Sequence, residues 1–526
     1  MNLVTVLAQQ VHERPQLPAI IESRGGADAI ATFAQLDERS RRVAGLLQEA
    51  GLRPGDPVLI FHPMSADLYV VLLGVFRLGA VAMFLDPAAG REHIERCCEL
   101  QPPHALIASP KAHLLRLTCR ALRRIPRKFV VGPWLPGATS LHRATQQVPL
   151  DHCEPCPAET PALLTFTSGS TGEPKAAVRT HGFLLTQHRV LARHLKLGPG
   201  EVDLTTLPIF LLANLASGVT SVIPDADLRR PGFIVAPPVL RQMQRLKVTR
   251  TAGSPAFFER LLESAESAVA FARVRKIYTG GAPVFPKLLR RMQSAAPAAE
   301  VEAVYGSTEA EPIAHVSGAQ FAPEDYAAML AGQGLLAGVP IPEIQIAVVR
   351  DQWGRPLGRL DEAEFARLRE PVGTAGEIVV AGEHVLKGYL HGRGDEETKF
   401  VVGNTVWHRT GDAGRFDERG RLWLLGRCAA KIQDGHGLLY PFTVECVAQE
   451  QPGVRRAALV AEAGRRLLAI EPEGVFSSPS AESLRAQLVW ARVEGIRTFA
   501  SLPVDQRHNA KIDYPALRRL LAESGS

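Results

Sequence analysis

From about residue 15 to residue 345, short apolar runs rich in β-branched residues alternate with longer segments whose apolar positions recur at helical spacing. Val58-Leu59-Ile60-Phe61, Ala105-Leu106-Ile107, Phe129-Val130-Val131 and residues 274–278 are such runs. The alternation predicts an α/β fold, with helical layers on parallel sheets. The longest apolar stretch, 68–85, is interrupted by Arg77, carries Gly74 and Gly79 and is bounded by turn residues. It predicts a buried helix running into a buried strand rather than a membrane span. After Gly338 the texture changes to closely spaced strand signals at 344–349, 377–380 and 421–425 between Gly-rich turns, which predicts a small β-rich unit. Beyond Gly426, strand signals at 457–460, 467–470 and 496–502 and a helix from about Tyr514 predict a separate α+β piece.

The 526 residues predict three to four domain-sized units, and 46% hydrophobic with 22% charged residues excludes a disordered or fibrous chain. A net charge of +6 is too small an excess over so large a surface to point to nucleic acid. Seven cysteines, and a start without a basic region, apolar run and cleavage site, predict a reducing, cytoplasmic setting. Charge matters locally. Segment 109–127 sets Leu114, Leu115, Leu117 and Leu122 among Lys111, Arg116, Arg120, Arg123 and Arg124 after a Ser109-Pro110 helix start. It reads as a helix with a solvated face, and peripheral contact with a membrane or an acidic partner is the alternative. Cys153-Glu154-Pro155-Cys156, beside His152, has no second pair at zinc spacing and reads as incidental; adjacent Cys97 and Cys98 read as free thiols.

The stretch Leu163-Leu164-Thr165-Phe166-Thr167-Ser168-Gly169-Ser170-Thr171-Gly172-Glu173-Pro174-Lys175 is the most informative. A buried strand ends in a Ser/Thr/Gly loop able to offer N–H groups and hydroxyls to phosphate, with Lys175 adding a mobile positive charge. Only two residues separate Gly169 from Gly172, and 176–180 reads as a second strand, so this is not a Walker loop. Four later segments join it: Gly280-Gly281-Ala282-Pro283; Tyr305-Gly306-Ser307-Thr308-Glu309; Arg409-Thr410-Gly411-Asp412 with Gly426-Arg427; and Asn509-Ala510-Lys511. In this order, over nearly the whole chain, the sequence resembles the adenylate-forming superfamily of acyl-CoA synthetases, peptide-synthetase adenylation domains and luciferases.

The resemblance implies an N-terminal domain, 1–426, of two α/β subdomains and a β-rich subdomain. A small mobile domain, 427–526, would close over the site. It implies ATP and Mg²⁺, a small-molecule carboxylic acid as substrate, and AMP-forming chemistry. A carboxylate attacking the α-phosphorus brings one anion onto another, so catalysis is mostly charge neutralisation and alignment. Thr167, Ser168, Gly169, Ser170, Thr171, Gly172 and Lys175 would hold the β- and γ-phosphates, Thr308 would touch the α-phosphate, and Glu309 would help hold Mg²⁺. Tyr305 and the Gly281-Ala282 backbone would pack on adenine, and Gly306 and Ser307 would belong to the same nucleotide-binding set. Asp412 would accept both ribose hydroxyls with Arg427 beside it. Lys511 would bridge the carboxylate and α-phosphate oxygens, where loss of such a charge costs about a hundred- to a thousandfold in rate. Taken singly, Asp412 and Arg427 also fit a structural ion pair, Tyr305 a core aromatic, and Glu309 a helix-start carboxylate.

In relatives that activate α-amino acids, an aspartate near Leu207-Pro208-Ile209-Phe210 pairs with the substrate ammonium. Here Phe210-Leu211-Leu212-Ala213-Asn214-Leu215-Ala216 offers no acid, and a buried unpaired ammonium would be costly. Phe210, Leu211 and Asn214 are therefore expected to line a pocket for an apolar acyl chain, the alternative being that they face the core. The hinge position, usually Asp or Lys in the family, is Ala429, and His436-Gly437-Leu438-Leu439-Tyr440-Pro441 departs from the thiolation-type pattern. Segments including Thr220-Ser221-Val222-Ile223-Pro224-Asp225, Trp407-His408-Arg409 and Asp505-Gln506-Arg507-His508-Asn509 resemble one branch, the β-lactone synthetases of bacterial olefin biosynthesis. That resemblance implies a 2-alkyl-3-hydroxy fatty acid whose own hydroxyl displaces AMP, and companion enzymes of a hydrocarbon or lipid pathway. Transfer to CoA or a carrier-protein thiol is the alternative outcome, and a non-catalytic binding protein ranks last. Glu311 and His315 stand where the branch is more apolar, which leaves a more polar acyl chain open. His181 and His315 are near the motifs, but neither is assigned as a base.

Overall fold

The computed structural model describes residues 1–86, 89–168, 173–462, 464–474, 476–505 and 511–524. The chain divides into two units, one of residues 1–225 with 383–395, the other of 226–382 with 396–526.

In the first unit the apolar runs become a seven-stranded sheet. Its order is Thr139–Ser140, Arg127–Val130, Ala105–Ala108, Pro57–Phe61, Val81–Phe84, Pro161–Ser168 and Pro174–Thr180. Neighbours are parallel up to Pro161–Ser168, which turns back as an antiparallel hairpin with Pro174–Thr180. Pro57–Phe61 is buried at all five positions, the mark of a strand in a covered parallel sheet. The 68–85 stretch is a helix, Ala66–Arg77, buried nearly all round, followed by the strand Val81–Phe84. Ser65 Oγ caps that helix by accepting from Leu68 N at 3.2 Å. Val202–Thr205, Thr220–Ile223 and Pro18–Arg24 run parallel, with Ala27–Thr32 antiparallel at the edge.

The helix expected over 109–127 is broken into Pro110–His113, a tight turn Leu114–Leu117, and Arg120–Arg124. Thr118 accounts for part of the break: its hydroxyl donates to Leu115 O at 3.3 Å, the kind of local side-chain bond that competes with the helix ladder. All seven cysteines are free thiols, and among the described residues no group of three or more His, Cys, Asp or Glu side chains could hold a metal. Among them, too, no helix is long and apolar enough to cross a membrane.

In the second unit Arg250–Gly253, Lys276–Gly280 and Glu300–Ser307 are parallel neighbours. The sheet then turns antiparallel through Ala310–Ser317, Leu335–Pro340, Leu422–Arg427, Thr405–Phe416, Gly376–Ala381 and Gln345–Val349. The C-terminal piece is a three-stranded sheet. Val454–Glu462 pairs antiparallel with Arg465–Pro472, which pairs parallel with Gly495–Thr498. Leu459, Leu468 and Ile470 pack on Val444 and Val447 on one face, and Ala458, Val460 and Leu467 pack on Leu517 and Leu521 on the other. The third strand was expected to reach residue 502 but stops at Thr498. Past Phe499 the chain leaves the ladder, and Leu502 N donates instead to the Glu471 carboxylate at 2.8 Å.

A buried ion pair fixes the β-rich part. Arg409 and Glu377 are fully excluded from solvent, and the guanidinium donates to both carboxylate oxygens at 2.9 and 2.6 Å. Arg409 also donates to Arg355 O at 2.6 Å and lies over the Trp353 ring. Arg409→Met should therefore strand a buried carboxylate and destabilise the protein by about 3–5 kcal/mol in urea unfolding followed by tryptophan fluorescence. A loss below about 1 kcal/mol would mean that Glu377 reaches water or is protonated in the fold.

Candidate active site

Opposite Ile378, the strand Thr405–Phe416 carries three residues, Thr410, Gly411 and Asp412, between Arg409, which pairs with Val379, and Ala413, which pairs with Glu377. This bulge re-aims the side chains it contains. Gly411 takes φ +70°, and a Cβ there would lie 2.9 Å from the Trp353 ring, so glycine is required on both counts. Thr410 hydroxyl donates to Ile378 O at 2.8 Å and accepts from Asp412 N at 3.0 Å, replacing the lost ladder bonds.

Asp412 is gripped from two sides. Tyr305 hydroxyl donates to its Oδ2 at 2.8 Å, and Arg427 Nη1 donates to its Oδ1 at 2.8 Å. Arg427 comes from the adjacent strand, where it pairs with Asp412 across the ladder. Burial and the Asp412 charge push the Tyr305 phenol well above its ordinary value, so it stays a donor. The ion pair that Asp412 and Arg427 fit when taken singly is thus present. Because the Arg427 side chain is 54% exposed, its contribution to stability is small, about 1 kcal/mol or less, and its effect is to hold the carboxylate in one orientation.

These groups border a cavity of about 280 Å³. Gly281, Ala282, Tyr305, Gly306, Ser307, Asp412, Arg427 and Lys511 all line it. Four of the five recognised segments therefore converge on one hollow. Gly281, which lines the cavity, adopts φ +81°, a conformation that favours glycine and leaves bare backbone at the wall. Lys511 arrives from the C-terminal piece, and its main chain is clamped by one residue. Asp505 N donates to Lys511 O at 2.8 Å, and Lys511 N donates to Asp505 Oδ1 at 2.9 Å. The C-terminal piece is itself tied to the helix Pro286–Ala295. Lys287 Nζ meets Glu473 at 2.8 Å, Lys287 N donates to Glu450 at 3.0 Å, Arg290 pairs with Glu450, and Phe285 meets Phe442 edge-on.

Sequence reasoning did not find Glu445 and Tyr514, which also line the cavity. Glu445 is buried and accepts from Leu459 N and from Tyr514 hydroxyl, both at 2.8 Å. The available signal was a lone acid inside the apolar run Phe442–Val447, and it names no partner. Asp505 stands in the sequence only as part of the segment that carries the family resemblance, with nothing to mark it as the partner of Lys511.

Thr308 and Glu309 occupy the turn between Glu300–Ser307 and Ala310–Ser317, where Glu309 N donates to Ser307 Oγ at 3.3 Å. The helix-start reading of Glu309 is corrected: it sits in a strand-to-strand turn. His408, near the Glu309 charge, is held neutral by burial, its pKa pushed down to about 3. In the first unit Lys175 is buried on the strand Pro174–Thr180. Gly169, Ser170, Thr171 and Gly172, the side chains of Thr167 and Ser168, and Asn509-Ala510 lie outside the described residues. Phe210 and Leu211 are buried in the helix Pro208–Ala216, and Asn214 donates to Asp203 at 2.7 Å and Ser221 at 3.2 Å. The Asn214 amide nitrogen is thus committed to the fold around it. His181 is fully buried, accepts from Leu3 N at 3.2 Å, and is pushed down to about 4 by burial; His315 pairs with buried Glu302 at 3.1 Å.

Residues 7–390 match the family of AMP-binding enzymes. The chain belongs to that family. Over 97% of its length it is 33% identical to an olefin β-lactone synthetase of Stenotrophomonas maltophilia, covering 96% of that relative, and 31% identical to one of Xanthomonas campestris with the same coverage. Among solved structures it is similar in fold to the amide bond synthetase McbA of Marinactinospora thermotolerans, at 24% identity and TM-score 0.79 over 98% of this chain and 99% of that one. It is similar also to ATP-bound MatB of Rhodopseudomonas palustris, at 21% identity and TM-score 0.81 over the whole of both chains. The protein is thus an adenylate-forming enzyme, an AMP-forming ligase that activates a carboxylic acid.

In this AMP-binding enzyme, burial pushes the Glu445 carboxyl from 4.5 up to about 7. Folding therefore favours its proton, a stabilisation complete below pH 4.5 and lost as pH rises through about 7. Glu445→Gln keeps an oxygen for Leu459 N and Tyr514 while removing the titration. Its melting temperature should gain on the parent's from pH 5 to about pH 7 and then level off; a difference independent of pH would refute the assignment.

Proposed function

We propose that this enzyme adenylates a fatty-type 3-hydroxy acid with ATP and then closes it to a β-lactone with release of AMP. The observation that carries the reading is the similarity to two olefin β-lactone synthetases across nearly the full length of each chain. Ala429 in place of the usual hinge acid or lysine agrees with it, since ring closure needs no external thiol.

In the first step a substrate carboxylate oxygen attacks the α-phosphorus and pyrophosphate leaves. On this reading Asp412 accepts the ribose hydroxyls while Tyr305 and Arg427 keep it aimed, and Lys511 meets the negative charge that develops between carboxylate and α-phosphate. The segment from Thr167 to Lys175 holds the leaving pyrophosphate, and Thr308 contacts the α-phosphate. Mg²⁺ fits the same arrangement, because that ion is commonly held by one or two carboxylates with phosphate oxygens rather than by a protein cage, and Glu309 offers such a carboxylate. When bound it would supply charge neutralisation on the phosphates. The piece 427–526 acts as a lid for the domain 1–426. In the second step the 3-hydroxyl oxygen attacks the acyl carbon, the bond from that carbon to the phosphate oxygen breaks, and the hydroxyl proton is released. Tethering nucleophile to target favours this step, while ring strain opposes it. Phe210 and Leu211 are proposed to line the acyl pocket. The reading takes the enzyme as cytoplasmic and as working beside others of a hydrocarbon or lipid pathway.

Lys511→Ala should lower AMP formation by about a hundred- to a thousandfold while ATP still binds, measured by pyrophosphate release and calorimetry. Full activity in that variant would remove Lys511 from the mechanism. The overall reading is tested with ATP, Mg²⁺ and a synthetic 2-alkyl-3-hydroxy acid, with and without CoA, followed by mass spectrometry. AMP and a product lighter than the acid by one water, formed without thiol, are expected. Turnover that waits for CoA or a carrier thiol would make the enzyme a thioester-forming ligase instead.

A further inference from the structure

Between Gln101 and Leu150 the chain carries eight Lys and Arg and no Asp or Glu. This stretch alone holds more positive charge than the net +6 of the whole protein. The fold gathers much of it in one place. Cys119, Leu122 and Ile125 turn inward onto Ile94, Cys97 and Cys98, so the apolar side of the segment is already used by the core. A second apolar set is left outside: Leu114 is 58% exposed, Leu117 74% and Trp134 65%. Lys111, Arg120, Arg123 and Arg124 are exposed in the same stretch of chain. Arg123 donates to the carbonyls of Arg116 and Leu117 at 3.2 and 2.9 Å, which holds the helix Arg120–Arg124 against the turn Leu114–Leu117. The loop that follows Trp134 lies against the same turn, since a Cβ on Gly137 would come within 2.9 Å of the Arg116 guanidinium. Glu95, which accepts from Arg120 N at 3.0 Å, is an acid at the edge of this surface.

We propose that the surface formed by Leu114–Leu117, Arg120–Arg124 and Trp134 docks the enzyme on an anionic lipid bilayer. Scattered exposed apolar residues are ordinary on a protein surface, but Leu and Trp set among cations are the composition of segments that lie in a membrane interface. A purely polar, acidic protein surface would satisfy the cations and leave the leucines and the indole in water. A bilayer of anionic lipid takes both, the headgroups pairing with the cations and the acyl boundary receiving the apolar side chains. Such docking would bring the enzyme to acids that partition into membranes, and it stands whether or not the product is a lactone.

The full-length protein is sedimented with vesicles of phosphatidylcholine containing about 30% phosphatidylglycerol, and with phosphatidylcholine vesicles alone. Binding to the anionic vesicles only is expected, weakening about tenfold or more between roughly 50 and 300 mM salt. Lys111→Glu/Arg120→Glu/Arg124→Glu, which spares the Arg123 bonds to the turn, should abolish it, and Leu114→Ser/Leu117→Ser/Trp134→Ser should weaken it about tenfold at fixed salt, with melting temperature and adenylation of a water-soluble acid unchanged in both. Quenching of tryptophan emission by brominated lipid, reduced in Trp134→Phe, reads insertion without disturbing the surface. Absence of binding, equal binding to neutral vesicles, or binding to polyglutamate but not to vesicles would each overturn the proposal.

Discussion

The buried Glu377–Arg409 pair fixes the stretch of backbone from which Asp412 projects. The pair joins the strands Gly376–Ala381 and Thr405–Phe416 at the point where their register slips. Two fully desolvated charges are costly unless their geometry and hydrogen bonds are nearly complete. Here both carboxylate oxygens are bonded to the guanidinium, which also reaches Arg355 O and stacks over Trp353. With that crossing fixed, the bulge at Thr410–Asp412 has one way to project. Tyr305 and Arg427 then need only hold the carboxylate, which is why a half-exposed ion pair of little energetic worth is well suited to the site.

The same economy governs the C-terminal piece. Lys511 carries a long flexible side chain, and a charge of that kind is useful only if its main chain is fixed. Asp505 provides this by bonding both the N–H and the carbonyl of Lys511. The ion pairs of Lys287 with Glu473 and of Arg290 with Glu450 are partly exposed, so each is modest in strength and sensitive to salt. Glu445 and Tyr514 add a buried polar bond between the helix Pro441–Gln449 and the C-terminal helix, stiffening the piece that carries Lys511.

Much was readable in advance. The strands at 58–61, 105–107, 176–180, 377–380 and 467–470 and the helix-to-strand run at 68–85 all formed, because periodicity records which side chains must leave water. Where local bonding decided, the reading failed: Thr118 helped break the basic helix, and Glu471 helped draw the third C-terminal strand off its ladder. Asn214, expected with Phe210 and Leu211 to line an acyl pocket, donates to Asp203, and His315, assigned no role in the sequence, pairs with Glu302; neither partner is visible in the chain's local pattern.

By itself the sequence determined the family, the nucleotide motifs and the residue types their chemistry needs, because charge, small size and hydroxyl groups at fixed spacing are properties of the chain. Only the tertiary structure decided which groups hold those residues. Glu377 for Arg409, Tyr305 for Asp412, Asp505 for the Lys511 main chain and Tyr514 for Glu445 are partners chosen by register and packing. Three of these four pairs are separated by 32 to 107 positions in the chain, and no local pattern records such a distance.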